Sequence, residues 1–384
     1  MTPSCILWQN VNKTTVLLDL PASIQEAQFL SDHLTPLGDD LGIDSPPKPR
    51  ALVSALPPTE PFSTPEPKTV DSGQPTSPAA QVAELMTLAA VESALEEIIQ
   101  ESYNGPWCLP RYDQPKPSRA AAREHVQPGL LKHAATTPTT VNPGLVSTSS
   151  SSSSGLEQYY IPPGSHFLRG TISSERDNFL SIAPEFDLVT LDPPWPNRSA
   201  KRKRGQGSYQ TVPDLDATRN LLLQIPIASR LSSDGLVAVW VTNAARFTDL
   251  LTSPRGVFSE WDVELVGEWT WLKVTTHGEP IVSLDSCWRK PWERLLIARK
   301  RGSSKTRSIQ GKVIVAVPDV HSRKPSLRSL FEEFLPPGYK ALEVFARNLT
   351  AGWWAWGNEV LLFQHKDHWR EPDTEEAESE TQGE

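Results

Sequence analysis

The chain reads as an α/β protein built on a seven-stranded, mostly parallel sheet with helices on both faces. Three observations predict this. From about Gln158 onward, short apolar runs of strand character alternate with helical stretches. One pair of runs, Val263–Leu272 and Leu295–Ala298, has no helix between its members. It is expected as an antiparallel edge pair joined by the long loop Val274–Glu293, and a loop of that length in a compact domain is usually functional or disordered. Eleven of the 13 tryptophans lie after residue 190, which puts the large core in the C-terminal half.

In chain order, Thr15–Leu20 is the first strand candidate and Ile24–Leu34 a helical stretch. From Pro78 to Tyr103, Ala79, Val82, Leu85, Leu88, Val91, Leu95 and Ile98 recur at three- and four-residue steps, the stripe of an amphipathic helix. Residues 1–35 and 78–130 are read as a small N-terminal accessory region packed on the C-terminal domain. Between them, 36–77 is a proline-rich linker, with ten prolines from Pro46 to Pro78. Residues 131–157 form a Ser/Thr-rich linker that includes the run Ser149–Ser154. Both segments have few large apolar residues to bury, so they are expected to be disordered or flexible. The main domain spans 158–368. Its strands are placed at Phe186–Leu191, Leu236–Val241, Val263–Leu272, Leu295–Ala298, Val313–Val317, Ala341–Phe345 and Val360–Phe363, and its helices at Leu215–Ala228, Ala244–Leu251 and Ser326–Phe334. Residues 369–384 are an acidic, disordered tail.

Composition narrows the function classes. The three cysteines (Cys5, Cys108, Cys287) are far apart and show neither a disulfide framework nor zinc spacing, as expected of a reducing compartment without a bound metal. No apolar run reaches about 18 residues and no signal-peptide pattern opens the chain, so a soluble intracellular protein without a membrane partner is expected. The net charge of −9 argues superficially against a nucleic-acid partner. Seven acids and no base fall in Glu371–Glu384, however, while five bases and no acid fall between Pro196 and Pro213. Local charge matters more than the total.

Asp192-Pro193-Pro194-Trp195 closes the apolar run Phe186–Leu191. Open α/β sheets place chemistry at the carboxyl ends of their strands. The two prolines stiffen the exit and leave carbonyls free as acceptors. A carboxylate, a fixed carbonyl and a flat ring together suit a planar base with an exocyclic amine; the plainer alternative is a proline turn under a surface tryptophan. The following basic loop holds Asn197, Arg198, Lys201, Arg202, Lys203, Arg204 and Tyr209. It suits phosphate contacts beside such a base, with Tyr209 stacking on a neighbour, and Lys201–Arg204 equally resembles a nuclear-localisation cluster.

Lys324, in His321-Ser322-Arg323-Lys324-Pro325 ahead of a helix, suits a small carboxylate. Arg347 and Asn348 at a strand exit suit vicinal hydroxyls, and Asn358 beside Glu359 suits an adenine edge. Solvated surface and strand-end caps are the alternatives at each position. No GxGxxG turn occurs, which argues against a nicotinamide dinucleotide.

Taken in order, these segments resemble the MT-A70 family of adenine-N6 methyltransferases, most closely its methyltransferase-like protein 4 branch. The likeness runs over roughly residues 160–368. It rests on Asp192–Trp195 with the basic loop, Trp240-Val241-Thr242-Asn243, Lys290-Pro291-Trp292-Glu293, His321–Pro325, and Phe345–Asn348 continuing to Gly357-Asn358-Glu359 and Phe363-Gln364-His365. Val16–Pro21 also looks like that branch. The resemblance implies a Rossmann-like class I methyltransferase fold in the permuted, class β motif order, with the catalytic motif Asp192–Trp195 ahead of the cofactor strand. It implies S-adenosyl-L-methionine as methyl donor. Lys324 would meet its carboxylate, Arg347 and Asn348 its ribose, and Asn358 and Glu359 its adenine, with His321 and Thr171 nearby. Lys290, Trp292 and Glu293 would join the basic loop in binding substrate. Three departures stand out: Trp292 replaces the branch's usual tyrosine, the basic loop is longer and richer in arginine and lysine than the family pattern, which leaves substrate choice open, and Gly170-Thr171 stands where relatives often carry an acid.

The implied reaction methylates N6 of adenine in RNA, at internal adenosine or 2′-O-methyladenosine as in small nuclear RNA, in the nucleus and also the cytoplasm, by a single chain without a partner protein. Asp192 and the Pro193 carbonyl would accept the two amine hydrogens while Trp195 stacks on the base. The rivals are DNA adenine methylation and a non-catalytic nucleic-acid-binding subunit on a degenerate methyltransferase fold.

Overall fold

The computed structural model of the protein describes residues 4–34, 49–63, 78–113, 144–149, 156–196, 212–286, 289–305 and 308–371. The basic loop from Asn197 to Tyr209, most of both linkers and the acidic tail beyond Glu371 lie outside them. The first elements are β1 (Ile6–Gln9), β2 (Thr15–Leu18), α1 (Leu20–Glu26), β3 (Ala51–Ser54), α2 (Pro78–Gln100), β4 (Tyr112–Asp113) and β5 (Gly144–Ser149). Then follow β6 (Leu156–Ile161), β7 (His166–Arg169), α3 (Ile172–Ile182), β8 (Phe186–Leu191), α4 (Leu215–Leu223), α5 (Ile227–Arg230) and β9 (Leu231–Val241). The chain continues through α6 (Ala245–Thr252), α7 (Val257–Glu260), β10 (Val263–Lys273), β11 (Trp292–Lys300), β12 (Lys312–Ala316), α8 (Arg328–Phe331), β13 (Ala341–Val344), β14 (Trp354–Gly357) and β15 (Trp369–Arg370).

Among the described residues the main sheet has ten strands rather than seven, in the order β1-β2-β12-β10-β11-β9-β8-β13-β14-β7. The core from β9 through β8, β13 and β14 to β7 is parallel throughout. The antiparallel β10–β11 pair forms with Val263 opposite Lys300 and Leu272 opposite Trp292. It is not an edge, because β12 pairs parallel with β10, and β2 pairs parallel with β12. Residues expected as an accessory region therefore extend the sheet itself. The expected strand Val360–Phe363 is instead a turn entering a 3₁₀ helix, Leu362–Gln364. A four-residue apolar run is too short for its periodicity to separate the two.

Local chemistry explains the element ends. Asp19 caps α1 by accepting from the Ala22 amide, and Thr171 and Asp214 cap α3 and α4 in the same way. Two prolines, which cannot donate to a ladder, follow β8. Two expected linkers also contain structure. Within 36–77, β3 pairs with β4 and with β15, so Trp369 and Arg370 belong to a small sheet rather than to the tail. Within 131–157, the backbone of β5 pairs antiparallel with β6.

The period of two along the strands sorts side chains onto two faces. On one face, Val237, Val239 and Leu296 pack under α3, α4, α6 and α7, and Leu17, Val315 and Trp292 pack under α2. On the other, Val16, Leu18, Ile314, Leu295 and Trp240 pack with α1 and α8. The aromatic load predicted for the C-terminal half is buried here: Trp269 and Trp356 are wholly buried, and Trp356 stacks on Phe179 at 4.6 Å.

Candidate active site

Parallel strands bring their carboxyl ends to one rim, and that rim carries the charged residues. Asp192 follows β8, Arg347 follows β13, Glu359 follows β14, and Lys324 lies in the loop after β12. Lys273 is the last residue of β10 and Glu293 the second of antiparallel β11, so both reach the same end. They form one string of alternating charge. Lys273 Nζ lies 2.5 Å from Glu293 Oε1, Glu293 Oε2 3.0 Å from Lys324 Nζ, and Lys324 3.2 Å from Asp192 Oδ2. Arg347 then lies 3.3 Å from Asp192 Oδ2 and 3.3 Å from Glu359. Both Asp192 contacts fall on Oδ2.

The string sets the ionisation of its members. Burial alone would raise Glu293, but Lys324 and Lys273 outweigh it and bring its pKa down to about 2. Burial alone would lower Lys324, but Asp192 and Glu293 drive it above the ordinary lysine range. Glu343 behaves oppositely: burial, then the nearby Asp192 charge, raise its pKa to about 8.

The cleft over this rim offers about 670 Å³ of space, part of it open to solvent, and is lined by Asp192, Lys324, Arg347, Asn348, Glu343 and Trp240, among others. Two backbone positions with positive φ shape it. Ser322 (φ 71°) turns its carbonyl onto Arg347, which donates to it at 2.8 Å. Phe345 (φ 61°) sits at the bend between β13 and Arg347. Non-glycine residues adopt this region rarely, and mostly where surrounding structure holds them.

Several expected roles change. Trp195 is only 8% exposed; its indole donates to the Trp240 carbonyl at 2.8 Å and packs on Phe247, with ring centroids 4.8 Å apart. It anchors the Asp192–Trp195 turn instead of offering an open ring for stacking. The Pro193 carbonyl is not free: it accepts from the Trp195 amide at 2.8 Å, and one lone pair remains. Trp292 is 2% exposed and packs with Leu17, Val91 and Ile98, so it is core. Lys290 pairs with Glu84 of α2 at 2.9 Å. Glu293 holds Lys324.

Of the remaining expected contacts, Pro194 is in the turn and Asn348 lines the cleft, whereas Asn358 is exposed and Glu359 is engaged by Arg347. His321 is exposed, its Nδ1 2.7 Å from the Ser322 hydroxyl. Thr171 is committed to capping α3. A Cβ on Gly170 would meet Glu175 Cγ at 2.5 Å, so an acid from the first turn of α3 already covers that spot. Asn197, Arg198, Lys201, Arg202, Lys203, Arg204 and Tyr209 lie outside the described residues. Lys273, Glu343 and Trp240 were not singled out in the sequence as individual contacts, because their importance depends on strand neighbours. A strand-end lysine followed across a long loop by Glu293 was the only available signal.

Chemically, two cations and an amide facing a carboxylate in a half-open cleft suit a ligand with a carboxylate and a diol. The residues present thus fit the methyl donor implied by the resemblance.

Comparison with known proteins gives concordant findings. The MT-A70 family profile matches residues 186–359. An N6-methyladenosine RNA methyltransferase MTA1 of Cryphonectria parasitica is 49% identical over 368 residues, covering 95% of this chain and 94% of that protein. The protein of the same name from Pyricularia oryzae is 47% identical, covering 94% of this chain and 96% of its own length. The N(6)-adenine-specific methyltransferase METTL4 of Mus musculus is 36% identical over 223 residues, or 55% of this chain and 45% of that protein.

Proposed function

This chain belongs to the MT-A70 family and is an S-adenosylmethionine-dependent methyltransferase acting on adenine N6 in nucleic acid, and we propose that its substrate is RNA. The observation that carries this reading is the breadth of alignment: both fungal relatives named as RNA methyltransferases match nearly the whole chain. The narrower target is an internal adenosine, with 2′-O-methyladenosine in small nuclear RNA as the form suggested by the methyltransferase-like protein 4 resemblance. Nuclear residence goes with it, supported by the Lys201–Arg204 run. So does activity as a single chain, proposed because the acceptor Asp192 and the donor-binding candidates Lys324, Arg347, Asn348 and Asn358 are all present in one sequence.

S-adenosylmethionine, when bound, supplies an electrophilic methyl carbon. In this reading Lys324 holds its carboxylate, Arg347 and Asn348 hold its ribose hydroxyls, and Asn358 and Glu359 face its adenine. Lys324 and Arg347 both rest on Asp192 Oδ2 in the ligand-free chain. In holding the donor, both cations would turn from Asp192 and leave that oxygen free. Asp192 then accepts one N6 hydrogen of the target adenine and the remaining lone pair of the Pro193 carbonyl accepts the other. Held by these two acceptors, the amine nitrogen would keep its lone pair free for the methyl carbon that the donor would supply, and the proton that N6 must lose would leave through Asp192. Orientation at near-attack distance supplies most of the acceleration, without a strong base. The base must leave any stack to enter, which favours single-stranded sites.

The test is nucleoside mass spectrometry after incubating the full chain and donor with matched RNA, 2′-O-methyl RNA and DNA oligonucleotides. N6-methylated adenosine is expected chiefly in the RNA arms. Asp192→Ala should lower it by roughly 10³-fold, since it removes the main acceptor aimed at the reacting amine. A dominant DNA product would overturn the RNA assignment, and near-wild-type turnover in the variant would overturn the mechanism.

A further inference from the structure

Lys324 sits in a loop, residues 317–327, that is held at both ends by chain segments far upstream of Asp192. On the entry side, Arg111 donates to the carbonyls of Pro318 at 2.7 Å and Val317 at 2.9 Å, and also reaches Ala55 O at 3.3 Å. Asp319 accepts from the Ala55 amide at 2.7 Å and pairs with Arg323 at 2.5 Å. Arg323, next to Lys324 in sequence, donates to Val53 O at 3.0 Å and lies 4.4 Å over the Phe363 ring, which lines the cleft. The side chains of Asp319 and Arg323 are 0% exposed and that of Arg111 is 2% exposed. On the exit side, the Ser326 amide donates to Ser23 Oγ at 3.0 Å, and Arg328 donates to the carbonyls of Glu26 and Phe29.

A buried, fully enclosed ion pair is an unusual way to hold a surface loop, because desolvating both charges is costly unless geometry and hydrogen bonds compensate. Here the geometry fixes one thing: where the backbone of residues 319–324 lies relative to β3 and residue 111. We propose that Asp319 is a positioning residue for Lys324, and that the segment pair carrying Val53–Ala55 and Arg111 acts as a brace setting the affinity for the carboxylate of the methyl donor. The N-terminal segments thereby take part in donor binding without touching the donor. The inference rests on the reading that Lys324 meets that carboxylate.

A pair of ligands tests it by calorimetric titration of the full chain. S-adenosylhomocysteine carries the carboxylate, and 5′-methylthioadenosine lacks the amino-acid portion but keeps the ribose and adenine. Asp319→Asn and Arg111→Met are each expected to weaken S-adenosylhomocysteine by about tenfold, the loss of a well-placed charge-assisted contact, with 5′-methylthioadenosine changed by less than about twofold. General loosening of the fold would weaken both ligands together, and the ratio of the two affinities is insensitive to the folded fraction. Arg111→Met leaves the Asp319–Arg323 pair in place, so it remains informative if Asp319→Asn folds poorly. Equal losses for both ligands, or no loss for either, would overturn the brace. Lys324→Met separates the underlying reading: if it spares S-adenosylhomocysteine, the carboxylate assignment falls and the brace with it. If Lys324→Met is selective and the two brace variants are not, only the brace falls.

Discussion

At the scale of single residues, the site is a charge string in which each member is held by neighbours of opposite sign. Asp192, Lys324 and Arg347 were legible in the sequence because each lies within a recognisable motif that follows a strand or precedes a helix. Their mutual contacts were not, since they join residues up to 155 positions apart. Glu343 illustrates the difference. In sequence it is an unremarked acid inside a strand; in the fold it lines the cleft beside Asp192, and its pKa rises from 4.5 to about 8. A folded-state pKa raised above the unfolded value contributes stability that is present below about 4.5 and is lost as pH rises through about 8. Glu343→Gln removes that pH-dependent loss. Its melting temperature relative to wild type should therefore be higher at pH 9 than at pH 5 in ligand-free protein. A difference that stays constant across that range would mean that Glu343 ionises normally.

At the scale of elements, alternation along β11 separates two residues that the sequence joined in one substrate motif. Glu293 points to the charged rim, and Trp292 turns to the opposite face beneath α2, against Leu17, Val91 and Ile98. Trp292→Ala should cost roughly 3–5 kcal/mol in urea titration, the range for emptying a large aromatic site. Oligonucleotide affinity of the folded fraction should stay unchanged; a large loss of affinity with little loss of stability would return Trp292 to the substrate surface. Helix α2 shows the limit of periodicity. Its predicted stripe is buried at Val91 and Ile98, but Val82 is 56% and Leu85 64% exposed. The spacing identified a helix, and the reach of the sheet beneath decided how much of it is covered.

At the scale of the whole molecule, the N-terminal strands complete the sheet. β2 pairs parallel with β12 through Val313, Ile314 and Val315, and its Leu17 and Leu18 are wholly buried on opposite faces. Deleting residues 1–18 would leave β12 as a bare, apolar edge, a template for aggregation. The expected outcome is a sharp fall in soluble monomer by size-exclusion chromatography. A soluble, monomeric and active remainder would show that the sheet is self-sufficient at β12.

By itself the sequence determined the alternating α/β texture, the span of β8, the antiparallel β10–β11 pair and the order of the catalytic and cofactor motifs. The first three are local, since a strand run or a loop without a helix is complete within a few tens of residues, and the motif order is simply the order of such local signals along the chain. Only the tertiary structure decided that residues 1–18 belong to the sheet, that Trp195 and Trp292 are anchor and core, and that Lys273, Glu293 and Glu343 belong to the Asp192 rim. Strand order and side-chain facing follow from pairing between segments distant in sequence, where packing rather than local propensity determines the outcome.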